Sequence, residues 1–232
     1  MNEYYLKARL MPTVITMIPM VVLYIRIVSP VIYPVLEPVW QVLPLFTGVA
    51  INTVVMFLLV MLNRYLSKAI FQNIIYQDDK NMPTTDFLMP NHKSLDKASR
   101  TRYYTYILQD YGIDMQKSLK CLRTDDEKRI MIARVVGQIR ETLRGNRMIL
   151  QHNIEYGFFR NLLGGCTHAT LISIVLLCIA KASNDSALLY ASLVMMVVYL
   201  LPLFFSKHII KYHGQNYAKV LFEQYGVMDR ST

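Results

Sequence analysis

The chain is 232 residues long, 53% hydrophobic and only 18% charged, with a formal net charge of +9. So apolar a composition argues against an ordinary soluble domain, and the excess of Lys and Arg points to anionic headgroups or an anionic ligand such as a nucleotide or nucleic acid. The three cysteines, Cys121, Cys166 and Cys178, are odd in number and spaced for neither a disulfide framework nor a zinc site. Cys178 lies in an apolar run, as a small core residue would, and a reducing cytosolic face is the economical setting.

A short lead, residues 1–9, carries Glu3, Lys7 and Arg9. From Leu10 to Leu36 the only charge is Arg26. About 20 apolar residues cross the hydrocarbon core, so a first span is predicted near Thr13–Val31. A kink is predicted at Pro19, because proline lacks an N–H and its ring crowds the preceding turn. The stretch is too long for a signal peptide and lacks a small-residue cleavage site. YPVLEP (33–38) forms the outer turn. Arg26 either faces the bundle interior or a water path, or snorkels to the nearer headgroups. Val39–Leu62 has no charge and is the clearest span. Trp40 suits the membrane interface, and Asn52 offers an interhelical hydrogen bond or a pore-lining group. The helical pattern continues past Arg64 and Lys68 to about Ile75.

A polar middle follows. Residues 64–161 hold 17 of the 25 Lys and Arg and 11 of the 16 Asp and Glu, hence +6 of the net charge. QDDKNMP (77–83) is a loop, and TTDFLM is a strand or one helical turn. Ser94 is the expected N-cap of a helix from Leu95 to Tyr111, closed by Gly112. Its polar side carries Lys93, Lys97, Arg100 and Arg102, followed by Tyr103, Tyr104 and Tyr106. Residues 113–123 are a basic connection. Thr124–Glu127 is a capping box with acids in the first turn, opening a helix that runs to Arg144 and stops at Gly145. Met131, Ile132, Val135, Val136, Ile139 and Leu143 share one face of it, and Arg129, Arg140 and Arg144 line the other. Residues 146–165 form an interfacial connector broken at Gly164 and Gly165. Cys166–Ala180 and Ala187–Phe205 are the third and fourth spans, joined by the turn KASNDS (181–186). The tail reads as a helix to Tyr225.

Both outer turns are nearly free of basic charge, whereas the lead, the middle and the tail are rich in it. The positive-inside rule then puts both termini and the middle in the cytoplasm. The expected fold is an all-α membrane protein: four transmembrane helices as two hairpins, with a small, mainly helical cytosolic domain inserted between them. Its domains are a hairpin at 1–63, the basic domain at 64–161, a second hairpin at 162–206 and a tail helix at 207–232. The expected location is the bacterial inner membrane.

No catalytic constellation emerges. NHKSLD (91–96) resembles the NHxSxxD box of membrane glycerolipid acyltransferases. Here, however, His92 and Asp96 are separated by three residues rather than four, and the later phosphate-holding segment is missing. Ser94 as a cap and Asp96 in a first turn account for these residues. There is no glycine-rich phosphate loop, no metal-ligand spacing and no GxSxG elbow. His152 and Glu155 are three apart and suit an orienting hydrogen bond. What remains is charge for phosphates and aromatic rings for bases. Arg129, Arg140 and Arg144, with Lys93, Lys97, Arg100 and Arg102, are the candidate anion contacts. No cofactor or metal is expected.

Two further stretches, PTTDFL (83–88) and QHNIEYGFFRNLLGG (151–165), resemble the membrane effectors of Hailong-type anti-phage defence, which are encoded beside a nucleotidyltransferase. The resemblance implies a homo-oligomeric channel in contact with membrane lipids. It further implies a nucleotidyltransferase partner whose short DNA-like oligonucleotides bind the cytosolic domain and hold the channel closed. Loss of that ligand would open it, depolarise the membrane and arrest growth. A lipid-modifying enzyme using His92 and Asp96, and a non-enzymatic scaffold, are the alternatives.

Overall fold

The computed structural model describes residues 2–31, 34–35, 37, 44–77, 80–92 and 95–230, and for 44–52 only the backbone. Residues 33, 36 and 38 of the expected outer turn, Trp40, the side chain of Asn52, Lys93 and Ser94 therefore lie outside the described residues. Every described element is a helix. Three are long and apolar enough to cross a membrane, at Thr53–Tyr76, Arg147–Ala182 and Ser186–Phe204, and a bent pair, Glu3–Thr16 with Ile18–Val31, makes a fourth. These features fit a multi-pass membrane protein. The chain divides into two compact units: Met1–Phe71 with Gly157–His208, and Gln72–Tyr156 with Ile209–Thr232.

The first unit begins with α1 (Glu3–Thr16) and α2 (Ile18–Val31), which meet at a 41° bend. The break falls at Met17 rather than at the expected Pro19. Pro19 occupies the first turn of α2, where its missing N–H costs nothing, so the ladder is interrupted just ahead of it. Next comes α3 (Pro44–Leu66), extended by a π-helical stretch, Ser67–Gln72, and a last turn, Asn73–Tyr76. The expected continuation to about Ile75 is thus observed.

Residues 146–165 do not form a broken connector. They belong to α8 (Arg147–Ala182), which runs through Gly164 and Gly165 without interruption. The two glycines admit other helices rather than ending their own. A Cβ on Gly164 would lie 2.2 Å from the Asn63 carbonyl oxygen of α3, and one on Gly165 would lie 2.3 Å from Thr16 Oγ1 of α1. Small residues at such crossings are how helices approach closely in lipid. Polar side chains close the same crossing. Asn63 Nδ2 donates to Thr13 Oγ1 (3.0 Å), Ser67 Oγ to Asn161 Oδ1 (3.2 Å) and Asn161 Nδ2 to the Ala8 carbonyl (2.6 Å). After a tight turn with Asn184 at positive φ, Asp185 caps α9 (Ser186–Phe204) by accepting from Leu188 N. Asp185 also pairs with Arg26, so the lone charge of the first apolar stretch meets a carboxylate in that turn. Tyr199 of α9 donates to the Ile15 carbonyl (2.7 Å). Cys178, expected in the core, is exposed, whereas Cys166 is buried.

The second unit contains α4 (Pro83–Leu88), α5 (Lys97–Tyr111), α6 (Met115–Cys121) and α7 (Asp125–Thr142). It also holds the start of α8 and most of α10 (Ser206–Gly226). PTTDFL is helical. The N-cap of α5 is Asp96, which accepts from Ser99 N (2.9 Å), not Ser94. The basic connection is itself a helix, α6, capped by Asp114. The capping box of α7 forms as its sequence requires, with Thr124 and Glu127 reciprocally bonded. Ile132, Val135, Val136 and Ile139 are buried, flanked by Met131 and Leu143. The tail is not separate. Tyr217, Leu221, Phe222 and Tyr225 of α10 enter the core that Leu88, Ile107, Met115 and Leu119 share. Tyr225 donates to Asp110 Oδ2 (2.7 Å), and the Arg230 guanidinium lies 3.8 Å from the Tyr106 ring centroid.

Two glycine substitutions should therefore have opposite signs. Gly164→Ala forces a methyl into the α3 backbone and should destabilise the protein by about 2–3 kcal/mol. Gly137→Ala meets nothing within 4 Å in the middle of α7 and should stabilise it by about 0.5–1 kcal/mol. Thermal denaturation in detergent micelles measures both.

Candidate anion-binding cleft

Helices α5, α6 and the start of α7 enclose a cleft of about 650 Å³. Its length and charge come from ordinary helical geometry. Lys97 and Thr101 are one turn apart on α5, Gln116 and Lys120 one turn apart on α6, and Lys128 enters from the first turn of α7. Three ammonium groups converge, and among the described residues no acidic side chain lines the cleft. Lys97 and Lys120 have no ion-pair partner among the described residues, whereas Lys128 pairs with Asp125 at 3.1 Å. Lys97, Thr101, Arg102 and Thr105 continue the basic surface as a shallow face beside the cleft. The threonine hydroxyls donate backwards, Thr101 to the Lys97 carbonyl and Thr105 to that of Thr101. Donors for an anion therefore come from the cations.

Arg100 has a different task. It is buried, at 9% exposure. Its guanidinium donates to the carbonyls of Pro90, His92 and Leu95, three acceptors on the segment before α5. Arginine's planar fork makes such multiple bonding possible. Beside it, Tyr104 donates to the Leu88 carbonyl (2.5 Å), and burial pushes its phenol up to about 12, so it stays a donor. Arg100 and Tyr104 therefore shape the cleft floor, and Lys97, Lys120 and Lys128 present the charge.

The arginine stripe of α7 faces elsewhere. Arg129 pairs with Asp86 and donates to the Lys80 carbonyl (3.3 Å). Arg140 donates to Thr84 Oγ1 (3.1 Å) and lies 5.7 Å from the Tyr217 ring centroid. Both bind α7 to α4. Arg144 pairs with Glu141 (2.7 Å) on the exposed surface. Of the seven residues singled out by sequence, Lys97 and Arg100 line the cleft, Arg102 lies on the shallow face beside it, three lie on the stripe and Lys93 is outside the described residues. Lys120 and Gln116 were missed because residues 113–123 were read as a connection, and Lys128 because only the fold brings the first turn of α7 beside α5 and α6. Asp114, three residues before the Lys117 amide it caps (2.9 Å), was the available signal.

The two residues of the NHKSLD box have structural partners. The His92 ring stacks on Phe87 (5.7 Å, 30°), and Asp96 caps α5. Among the described residues no cluster of His, Cys, Asp or Glu could hold a metal. No family model matches the chain, and comparison with curated proteins and with solved structures finds no similar chain.

Replacing the brace should differ from replacing a presenting lysine. Arg100→Ala leaves buried carbonyls unpaired and should cost about 2–3 kcal/mol, while Lys97→Ala should stay within about 0.5 kcal/mol of the parent; thermal denaturation distinguishes them. The cap gives a pH signature. Bonding from Ser99 holds the Asp96 carboxyl below its ordinary range, so its stabilisation is present above the unfolded value, roughly 3.9. It is lost as pH falls through the lower folded value. Asp96→Asn keeps a capping oxygen and should flatten the acid limb of a stability–pH titration.

Proposed function

We propose that the protein is a ligand-controlled channel. Its first unit forms the membrane-spanning part as two helical hairpins, and its second binds an oligonucleotide-type anion in the Lys97–Lys120–Lys128 cleft. The observation that carries this reading is the polar seam inside the apolar helices of the first unit. Thr13, Thr16, Asn63, Ser67, Asn161, His168, Thr170 and Ser173 are all buried there, while Leu171, Ile174, Val175, Val197 and Leu201 are exposed on the outer surfaces. Apolar side chains outside and polar ones inside are the arrangement expected of a bundle in lipid. Polar groups within such a bundle commonly mark an ion or substrate path. One chain supplies few helices for a wide pore, so the working channel is a homo-oligomer.

The charge pattern supports a cytoplasmic second unit and cytoplasmic termini in a bacterial inner membrane. A ligand that binds one conformation of the second unit more tightly shifts the pore between closed and open. The likeness to Hailong-type effectors adds the biological setting: an anti-phage system in which a nucleotidyltransferase makes the ligand, the ligand holds the pore shut, and its loss depolarises the cell. The absence of a recognisable catalytic constellation favours sensing over turnover.

The test is potassium flux from liposomes of mixed zwitterionic and anionic lipid containing the purified protein, with and without short single-stranded deoxyoligonucleotides. Ligand-dependent flux is expected, and it should be insensitive to ligand in the Lys97→Glu, Lys120→Glu, Lys128→Glu triple variant. Absence of flux in every condition would exclude a channel and leave a scaffold. Binding through three lysines should also weaken with salt, with a log–log slope of about −2 for a single strand. Fluorescence anisotropy against potassium chloride concentration measures that slope.

A further inference from the structure

A second cleft of about 680 Å³ lies within the second unit, between α4 and α10, and none of the preceding functions uses it. Its volume falls in the range of roughly 300–1,000 Å³ common to small-molecule sites. The floor is aromatic. Phe87 stacks parallel to Phe222 (5.7 Å, 6°), Tyr103 tilts against Phe222 (5.5 Å), and His92 covers Phe87. The rim comes from one face of α10, where Lys211, Gln215 and Lys219 follow at intervals of four, with Asn216 beside them. Lys211, Gln215 and Asn216 have no side-chain partner among the described residues, whereas Lys219 is loosely paired with Glu223 at 3.8 Å.

The walls are fixed before any ligand arrives. Tyr76 donates to the Ile210 carbonyl (3.0 Å), Arg129 holds Asp86, and a Cβ on Gly214 would lie 2.7 Å from the Tyr76 hydroxyl. A preformed site spends little binding energy on ordering itself.

We infer that this cleft binds a free mononucleotide: a planar heteroaromatic ring carrying a single phosphate. Free carboxamides present a donor and an acceptor side by side, the pattern that reads the edge of a base. Phe222 and Tyr103 are buried behind the lining, so the half-buried Phe87–His92 pair supplies the ring surface against which a base can rest. One unpaired ammonium, Lys211, suits one phosphate, and Glu223 and Asp86 on the same lining disfavour a longer polyanion. That charge distinguishes it from the three-lysine cleft, which no acid among the described residues lines. The inference stands apart from the channel reading, since a mononucleotide site would serve a scaffold equally well.

The test is isothermal titration of the full-length protein in detergent with adenosine, cytidine, guanosine and uridine 5′-monophosphates. At least one should bind saturably, one per chain. Lys211→Ala and Gln215→Ala, both at exposed positions, should each weaken it about tenfold, and Lys120→Glu should leave it unchanged. Unchanged melting temperatures confirm that the variants are folded. A short deoxyoligonucleotide bound at the three-lysine cleft should not displace the mononucleotide. The inference is overturned if none of the four binds at millimolar concentration, if binding survives both α10 substitutions, if it is lost with Lys120→Glu instead, or if the oligonucleotide displaces it.

Discussion

Contact between helix backbones, with no side chain between them, is the constraint on which the first unit depends. At Gly164 and Gly165 the α8 surface has no room for even one methyl, because the Asn63 carbonyl and the Thr16 hydroxyl already occupy the space. Inside lipid there is no hydrophobic gain from bringing two apolar helices together, so packing and interhelical hydrogen bonds must do it. The sites of closest approach are also where the hydrogen bonds lie. Asn63 reaches Thr13, and Asn161 reaches both Ser67 and the Ala8 carbonyl. A side chain at either glycine would lengthen all of these bonds together. Fit and polarity in this unit are therefore one property.

The second unit is held differently. Its core is an ordinary hydrophobic one, closed by α10, with Tyr225 and Arg230 meeting at Asp110. Cations there divide by the company they keep. Arg100, Arg129 and Arg140 are committed to carbonyls, a carboxylate or a hydroxyl of their own unit. Lys97 and Lys120 are not. Arginine's rigid fork serves bracing, and the compact ammonium of lysine is left for solvent or an external anion.

Much of this was legible in the sequence wherever a local rule had no competitor. Thr124 with Glu127 specified a helix start, Gly112 specified a helix end, and the uncharged runs specified the long apolar helices. Errors arose where a residue had two uses. Glycine ends helices in water but packs them in lipid, so Gly164 and Gly165 were read as a break. Ser94 and Asp96 both cap well, and only the backbone path chooses Asp96. The tail reads as a helix with Tyr217, Leu221 and Tyr225 at helical spacing, but the core they enter is built from residues about a hundred positions earlier. For the cleft, Lys97 and Arg100 were found, with Arg102 on the adjoining face, because they share one helix. Lys120 and Lys128 were not, because their proximity is tertiary. The roles of the arginines depended on partners such as Asp86 and Thr84, forty or more positions away in sequence.

The place of α10 in the second unit has a consequence for biogenesis. Helices α4 to α7 are synthesised early, but Leu221, Phe222 and Tyr225 are made only after α8 and α9. Until then the core around Leu88 and Ile107 lacks a wall. The second unit therefore completes its core last, although most of its helices precede the long apolar ones in the chain, and a chain cut short before α10 would lack that wall.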